Sequence, residues 1–299
     1  MLVGPLGFEP RIANAPGRGN GQIDWEAFRE WLLRNHKATV TRDYVNYSKR
    51  FSHCLLSRDL TEVRNLRVTI RANVVKAISS LAKFLGIYDE YKTLLKSYGI
   101  DWKGRSSDDL MIDRLTKSQN PDEMFSWISQ VKRDLPELSE FMDFISVTGL
   151  RLAEAVSSYN LIVDLSKKGK LGEYYNADSL ILEHFRFKET FIRNSKKAFV
   201  SFVPVELVKR ISESNELPSK FCLQLRVKRH GSSKIRFADI REVHASFMTK
   251  YLKPQEIDFL HGRIGTSVFM ANYYNPNWVG DLRARAIQGV GEIMGKIQT

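Results

Sequence analysis

The chain has 299 residues, 43% of them hydrophobic, so it is long enough to form two domains with real cores. Its apolar runs fall far short of the roughly 18 residues of a membrane span, and its start does not resemble a signal peptide. We therefore expect a cytoplasmic protein without a membrane partner. Cys54 and Cys222 lack CxxC spacing, which predicts neither a disulfide framework nor a metal or cofactor. The net charge of +12 favours nucleic acid as the partner.

The N-terminal third of the sequence changes character near residue 23. Residues 1–22 contain five glycines and three prolines without periodicity, so we expect them to be disordered or loosely attached. Residues 23–100 have apolar positions at helical spacing and predict a compact four-helix unit. The four helices are predicted to begin near Asp24, Thr41, Thr69 and Tyr88, with Asp24 and Thr41 as N-caps and Gly86 and Gly99 as stop signals.

A polar segment separates this unit from a second one. Residues 101–120 are charged and lack periodicity, which is typical of an interdomain linker. Residues 121–299 are predicted to be mostly helical, but apolar and polar residues alternate on both sides of residues 194–197, as in an antiparallel β-hairpin. Helices are predicted at about 121–134, 137–147, 205–214, 219–228, 234–252, 254–261 and 267–274.

The last predicted helix, residues 278–297, is amphipathic. Its polar side is expected to turn Arg283 and Arg285 toward solvent. The apolar stripe fits either packing on its own domain or docking on a neighbouring subunit. That stripe consists of Trp278, Leu282, Ile287, Val290 and Ile293.

Basic residues are concentrated between Phe221 and Arg241, where Asp239 is the one acidic residue. Such a density of positive charge suits contact with a DNA backbone. The basic residues of this stretch are Arg226, Lys228, Arg229, Lys234, Arg236 and Arg241.

Four short motifs follow one another in the second unit. Breaking a phosphodiester without a metal needs cations at the non-bridging oxygens, a nucleophile and an acid for the leaving oxygen. Arginine suits the first task because its planar fork binds two oxygens at once. The motifs are TGLRLAE at 148–154, NSKK at 194–197, ADIREVHAS at 238–246, and LHGR at 260–263 followed by Tyr273 and Tyr274.

In this order the motifs resemble those of the tyrosine recombinases, or integrases, over roughly residues 24–285. The resemblance implies that Arg151 and Arg241 clamp the scissile phosphate. It also implies that Tyr273 is the nucleophile, with Tyr274 as the alternative. A tyrosine alone would be interpreted as a packing residue, because a phenol of ordinary pKa is a weak nucleophile.

The same resemblance assigns roles to the second and fourth motifs. Lys196 is expected to protonate the departing 5′ oxygen, while Lys197 stays open as the alternative and as a DNA contact. Arg263 is expected to donate a hydrogen bond to the phosphate, with His261 as second choice. The spacing from Arg263 to Tyr273 is similar to that of archaeal virus and plasmid integrases of the fusellovirus type.

The third motif departs from the family pattern. Three residues before Arg241 the family usually has His or Lys, whereas this chain has Ala238. Either another group supplies that contact or this branch does without it. His244 lies three residues after Arg241 and is interpreted as a packing histidine rather than a replacement.

The stretch Gly7–Arg11 can be encoded as GGG TTC GAA CCC CGN, which has the form of the T-arm of a tRNA gene. Integrases of the archaeal type often recombine at tRNA genes and carry the attachment site in their own reading frame. We therefore expect residues 1 to about 20 to translate an attachment site, with chance coding as the alternative.

The resemblance implies a mainly α architecture. A four-helix core-binding domain and a mostly α catalytic domain with a small antiparallel β-sheet would close around double-stranded DNA, and four copies would assemble on two duplexes. The implied activity is metal-independent strand exchange through a 3′-phosphotyrosine. The alternatives are a catalytically inactive DNA-binding regulator or accessory protein on the same fold, and a type IB topoisomerase.

Overall fold

A computed structural model describes residues 18–19, 22–102, 104–116, 121–193, 196–230, 235–263, 269, 272–276 and 279–298. The chain forms two compact, mainly helical units, Met1–Ser118 and Gln119–Thr299. Within the described ranges, no helix has the length and apolarity needed to span a bilayer. Most of the predicted N-terminal extension, including the Gly7–Arg11 stretch, lies outside the described residues.

In the N-terminal unit, two long helices pack against each other around a core that includes Phe51, Ile78 and Leu81. A short antiparallel pair, β1 (Arg18–Gly19) with β2 (Gln22–Ile23), precedes the helices. The helices are α1 (Trp25–Leu33), α2 (Ala38–Leu56), α3 (Thr61–Arg64), α4 (Val68–Phe84), α5 (Tyr88–Ser97) and α6 (Ser107–Thr116).

The predicted helix ends of this unit are confirmed in part. The Asp24 carboxylate accepts a hydrogen bond from the backbone N–H of Ala27 at 2.9 Å, and Gly86 has a left-handed φ of 72° just after α4. The prediction that Thr41 caps the second helix is wrong. Thr41 is buried inside α2, which begins at Ala38, almost a turn earlier than predicted. The predicted linker contains α6, none of whose residues is buried.

The second unit is organised around one central helix in which every residue from Phe141 to Thr148 is buried. This helix contacts five other helices of the unit and the strand at Ser201–Phe202. The helices are α7 (Pro121–Asp134), α8 (Ser139–Thr148, the central one), α9 (Leu152–Lys167), α10 (Lys188–Phe191), α11 (Val205–Ser212), α12 (Lys220–His230), α13 (Phe237–Met248), α14 (Pro254–Leu260) and α15 (Leu282–Ile297).

The β-structure of this unit is small and antiparallel. Strands β3 (Tyr175–Asn176), β4 (Ile181–Leu182) and β7 (Ser201–Phe202) form a sheet with β4 in the middle. A separate pair, β5 (Ile192–Arg193) with β6 (Lys196–Lys197), forms the tip of the predicted hairpin.

The predicted hairpin is shorter than the sequence pattern indicated. Upstream of β5, residues His184–Arg186 form a 3-10 turn and α10 follows directly, so no long strand runs there. The alternation reflects burial of Phe191 and His184 in the core rather than a strand face. Residues 194–195 lie outside the described residues.

The C-terminal helix α15 packs on its own domain, against α7, α8, α13 and β7. Of the predicted stripe, Leu282, Val290 and Ile293 are buried and Ile287 is half-buried. The prediction that Arg285 faces solvent is wrong. Its guanidinium donates two hydrogen bonds, at 2.6 and 2.8 Å, to the buried carboxylate of Glu256.

Candidate functional site

The first predicted arginine follows directly from the central helix. Helix α8 ends at Gly149, whose φ of 57° is left-handed, and Arg151 is the N-cap of α9. A Cβ at Gly149 would lie 2.5 Å from Nδ1 of His244, so glycine is required for both conformation and space. Arg151 Nη1 binds Glu154 Oε1 at 3.0 Å, and the Arg151 side chain remains 27% exposed.

Glu154 is buried and is shared by two arginines. Its Oε1 accepts from Nη1 of Arg151 at 3.0 Å and from Nη2 of Arg193 at 3.3 Å. Two guanidinium groups on one oxygen lie within about 6 Å of each other. Sequence reasoning missed Arg193, whose buried Nε has no hydrogen-bond partner among the described residues. The position of Arg193 next to the predicted hairpin turn was the sequence feature that could have identified it.

Arg241, on α13, ties the first motif to the fourth. Its Nη1 donates to the carbonyl of Gly149 at 2.8 Å, and its Nη2 donates to the carbonyl of His261 at 2.5 Å. Burial, together with the neighbouring charges of Arg151 and Arg263, lowers the pKa of Arg241 to about 10. The residue stays protonated at neutral pH, and the structure brings all three predicted arginines into one electrostatic cluster.

Two buried histidines lie beneath this cluster. His244 Nε2 is 3.1 Å from the carbonyl of Val147, so it donates there, and His244 Nδ1 accepts from His261 Nε2 at 2.9 Å. Burial lowers the pKa of His244 to about 4. Burial also lowers the pKa of His261, and the nearby charges of His244 and the three arginines lower it as well, by smaller amounts. His244 is therefore a packing histidine, as predicted.

The two candidates in the fourth motif are placed differently. His261 is 1% exposed, and the imidazole nitrogen that carries its proton is engaged by His244. The Arg263 side chain is 54% exposed, with Asp258 at 3.7 Å from its Nη1. Because a phosphate arriving from solvent can reach Arg263 but not His261, the geometry favours Arg263 as the donor.

The hairpin lies directly against this motif. A Cβ on Gly262, which has a φ of 63°, would fall 1.6 Å from the carbonyl oxygen of Lys197. Lys197 pairs with Ile192, and Lys196 pairs with Arg193 across the hairpin. The hairpin is therefore held at one end by Gly262 and at the other by the Arg193–Glu154 ion pair. The Lys196 side chain lies outside the described residues.

The two neighbouring tyrosines have opposite environments. Tyr274 packs against Phe259 with ring centroids 5.8 Å apart, and burial raises its pKa to about 12. Tyr273 is 72% exposed, and its hydroxyl makes no hydrogen bond to a described residue. Tyr273 is thus the accessible phenol, while the described contacts do not bring its hydroxyl to the arginines.

Three of the predicted basic residues lie on α12. Arg226, Lys228 and Arg229 are exposed, and Arg226 has Glu137 at 3.5 Å. Arg236 is 67% exposed at its side chain and forms an ion pair with Asp239 at 2.9 Å. Lys234 lies outside the described residues.

No family model matches the chain, and no curated protein matches it. The case for any function therefore depends on the chemistry of the site itself.

Proposed function

We propose that the chain is a site-specific tyrosine recombinase that cuts and rejoins DNA through a 3′-phosphotyrosine intermediate. The observation that carries the proposal is the bridge that Arg241 forms between the carbonyls of Gly149 and His261, which links the first motif to the fourth. Arg151 and Arg263, 112 positions apart in the sequence, both lie near enough to Arg241 for their charges to lower its pKa. Neighbouring guanidinium groups suit the binding of a phosphate.

The cluster stabilises negative charge where it would develop. Arg241 is fixed by two backbone carbonyls, whereas Arg151 and Arg263 keep exposed surface for the non-bridging oxygens. Donors that are positioned before the reaction spend no free energy on reorganisation during it. Arg193, bound to the same carboxylate as Arg151, adds a fourth cation and compensates for the missing donor at Ala238, which is exposed in the first turn of α13.

The proposed chemistry balances without an external energy source. The phenol of Tyr273 gives its proton to solvent as its oxygen attacks the phosphorus. The bond from phosphorus to the 5′ oxygen breaks, and Lys196 gives that oxygen a proton, which the lysine regains from solvent. The product is a 3′-phosphotyrosine and a free 5′-hydroxyl. The 5′-hydroxyl of a partner strand reverses these steps and restores the phosphodiester.

The proposed partner is double-stranded DNA. The exposed basic side chains of α12 supply a sequence-independent contact to the backbone, as does Lys197 on the hairpin. The coding capacity of Gly7–Arg11 supports an attachment site in a tRNA gene and a virus or plasmid of archaea as the source of the chain. The working assembly we propose is a homotetramer on two duplexes, in the cytoplasm.

A nicked suicide substrate tests this proposal. The DNA carries the nucleotide sequence of the first twenty codons. A nick close to the cleavage site lets the short fragment with the new 5′-hydroxyl dissociate, so that the covalent adduct accumulates. We expect a covalent protein–DNA adduct from the wild type, none from Tyr273→Phe, and an undiminished yield from the matched control Tyr274→Phe. An adduct that survives Tyr273→Phe, or that is lost only in Tyr274→Phe, would overturn the assignment.

A second candidate function is a DNA-binding regulator without catalysis. It is favoured by Ala238 and by the lack of a described contact between the Tyr273 hydroxyl and the arginines. Tight binding of the same DNA with no adduct from the wild type would support it. Relaxation of supercoiled DNA without exchange between two sites would instead indicate a topoisomerase.

A further inference from the structure

A cluster of three side chains in the N-terminal unit has no role in the proposed reaction. His53 and Cys54 lie in the last turn of α2, and Glu62 lies in α3. His53 Nε2 is 2.9 Å from Glu62 Oε2 and 3.3 Å from Cys54 Sγ, and Cys54 Sγ is 3.8 Å from Glu62 Oε2. Among the described residues, this is the one group of three or more such side chains whose donor atoms come together.

We propose that His53, Cys54 and Glu62 bind one divalent transition-metal ion of the zinc type. Zinc takes tetrahedral sets of sulfur, imidazole nitrogen and carboxylate oxygen, in which the donor atoms are roughly 3.3–3.6 Å apart. The three observed separations lie around that range, so closing on an ion requires shifts of only a few tenths of an ångström. The thiol and imidazole favour zinc or cobalt over magnesium or calcium.

The ligands are held by short, ordered elements. The chain returns from α2 to α3 within four residues, and Arg58 takes a left-handed φ of 57° in that turn. The Asp59 carboxylate accepts from the backbone N–H of Thr61 at 2.9 Å and from the Tyr98 hydroxyl at 3.2 Å. These contacts set the start of α3, so the Glu62 carboxylate faces His53 before any ion arrives.

The site is open to solvent on one side. The side chains of His53 and Glu62 are 62% and 50% exposed, whereas Cys54 is buried. An ion can therefore enter from solvent, bind three protein ligands, and keep water in the fourth position. Bound metal would join the end of α2 to the start of α3 and stabilise the N-terminal unit by mass action. No sequence pattern indicated this metal site, because adjacent His and Cys with Glu eight residues after Cys54 match no common ligand spacing.

Cobalt titration of the tag-free full chain tests the site. We expect Co²⁺ to produce a thiolate charge-transfer band at one equivalent, and Zn²⁺ to remove it by competition. Cys54→Ser should lose the band, whereas Cys222→Ser, the matched control at the exposed free cysteine, should keep it. Absence of the band in the wild type, or its loss in Cys222→Ser alone, would overturn the proposal.

Two surface variants keep the test decisive if Cys54→Ser fails to fold. His53→Ala and Glu62→Gln alter exposed side chains, and each should weaken Co²⁺ binding by about tenfold or more. Unchanged affinity in both would refute the site. The proposal is independent of the recombinase activity, since Tyr273→Phe should leave cobalt binding unaltered.

Discussion

The arginine cluster and the tyrosine pair belong to the same unit but are built in opposite ways. Arg241 is half-buried and bridges two carbonyls, beside a histidine pair in which His244 contacts both the carbonyl of Val147 and the His261 ring. Tyr273 presents 72% of its surface to solvent. Folding alone therefore fixes the position of Arg241, whereas it leaves Tyr273 exposed. Under the proposed function, we expect bound DNA to align the phenol.

Removing the bridging arginine should have the largest effect. Arg241→Ala is expected to lower DNA cleavage about 10³-fold, the loss typical of one preorganised oxyanion donor. It should also destabilise the fold by about 2–3 kcal/mol, because the carbonyls of Gly149 and His261 lose their donor. Suicide-substrate kinetics and urea unfolding measure the two effects. Ser246 is exposed on the same helix, so the control variant Ser246→Ala should change neither cleavage nor stability. If Arg241→Ala cleaved DNA as fast as the wild type, the arginine cluster would have no catalytic role.

A methyl group at the base of the cluster should have the next largest effect. Gly149→Ala places a Cβ 2.5 Å from His244 Nδ1 and 2.8 Å from His261 Nε2 at a left-handed φ. We expect a loss of about 2–4 kcal/mol in the free energy of unfolding. Gly169→Ala is the matched control, since its φ of 68° is similar but nothing lies within 4 Å. It should cost only about 1 kcal/mol, and equal losses in both variants would contradict tight packing at Gly149.

Acid should destabilise the fold through its buried histidines. Burial lowers the pKa of His244 to about 4 and that of His184 to about 3, from ordinary values near 6.5. Both are neutral in the folded state, so the unfolded state binds more protons below pH 6.5. Stability is then complete above about pH 6.5 and falls toward pH 4, by about 1.4 kcal/mol per unit for each histidine. Urea unfolding between pH 7 and 5 measures this, and a flat profile would argue against buried neutral histidines.

The smallest expected effect is at the basic surface of α12. Lys228→Gln and Arg229→Gln should each weaken DNA binding and reduce the slope of log affinity against log salt by about 1. Lys209→Gln, an exposed lysine on α11, serves as the control and should leave the slope unchanged if α12 is the DNA-binding surface. Fluorescence anisotropy at several salt concentrations distinguishes them. If all three variants had the same slope of log affinity against log salt, α12 would not be the DNA-binding surface.

Local signals in the sequence predicted much of the fold. The apolar spacing and the Asp24 cap placed α1, and the pattern through Leu85 to Gly86 placed α4, because both signals act within a few residues. The alternation around residues 194–197 correctly indicated strand pairing at the tip. The hairpin length failed, because burial of His184 and Phe191 in the domain core produces the same alternation as a strand.

Features that depend on tertiary partners were beyond local patterns. The amphipathic pattern of α15 predicted that Arg285 faces solvent. Arg285 instead binds the buried Glu256, which lies 29 positions earlier in the sequence and which a local pattern cannot identify. Arg193 joins the cluster only through Glu154, 39 positions earlier. The motifs named Arg151, Arg241 and Arg263, but the histidine pair that supports them depends on contacts that no spacing rule contains.

A structure with nicked attachment-site DNA and orthovanadate would test the central claim most directly, because vanadate mimics the five-coordinate phosphorus of strand cleavage. We expect the guanidinium groups of Arg151, Arg241 and Arg263 to lie about 3 Å from the vanadate oxygens, with the Tyr273 oxygen at an apical position. Vanadate bound away from these arginines, or coordinated by Tyr274, would contradict it.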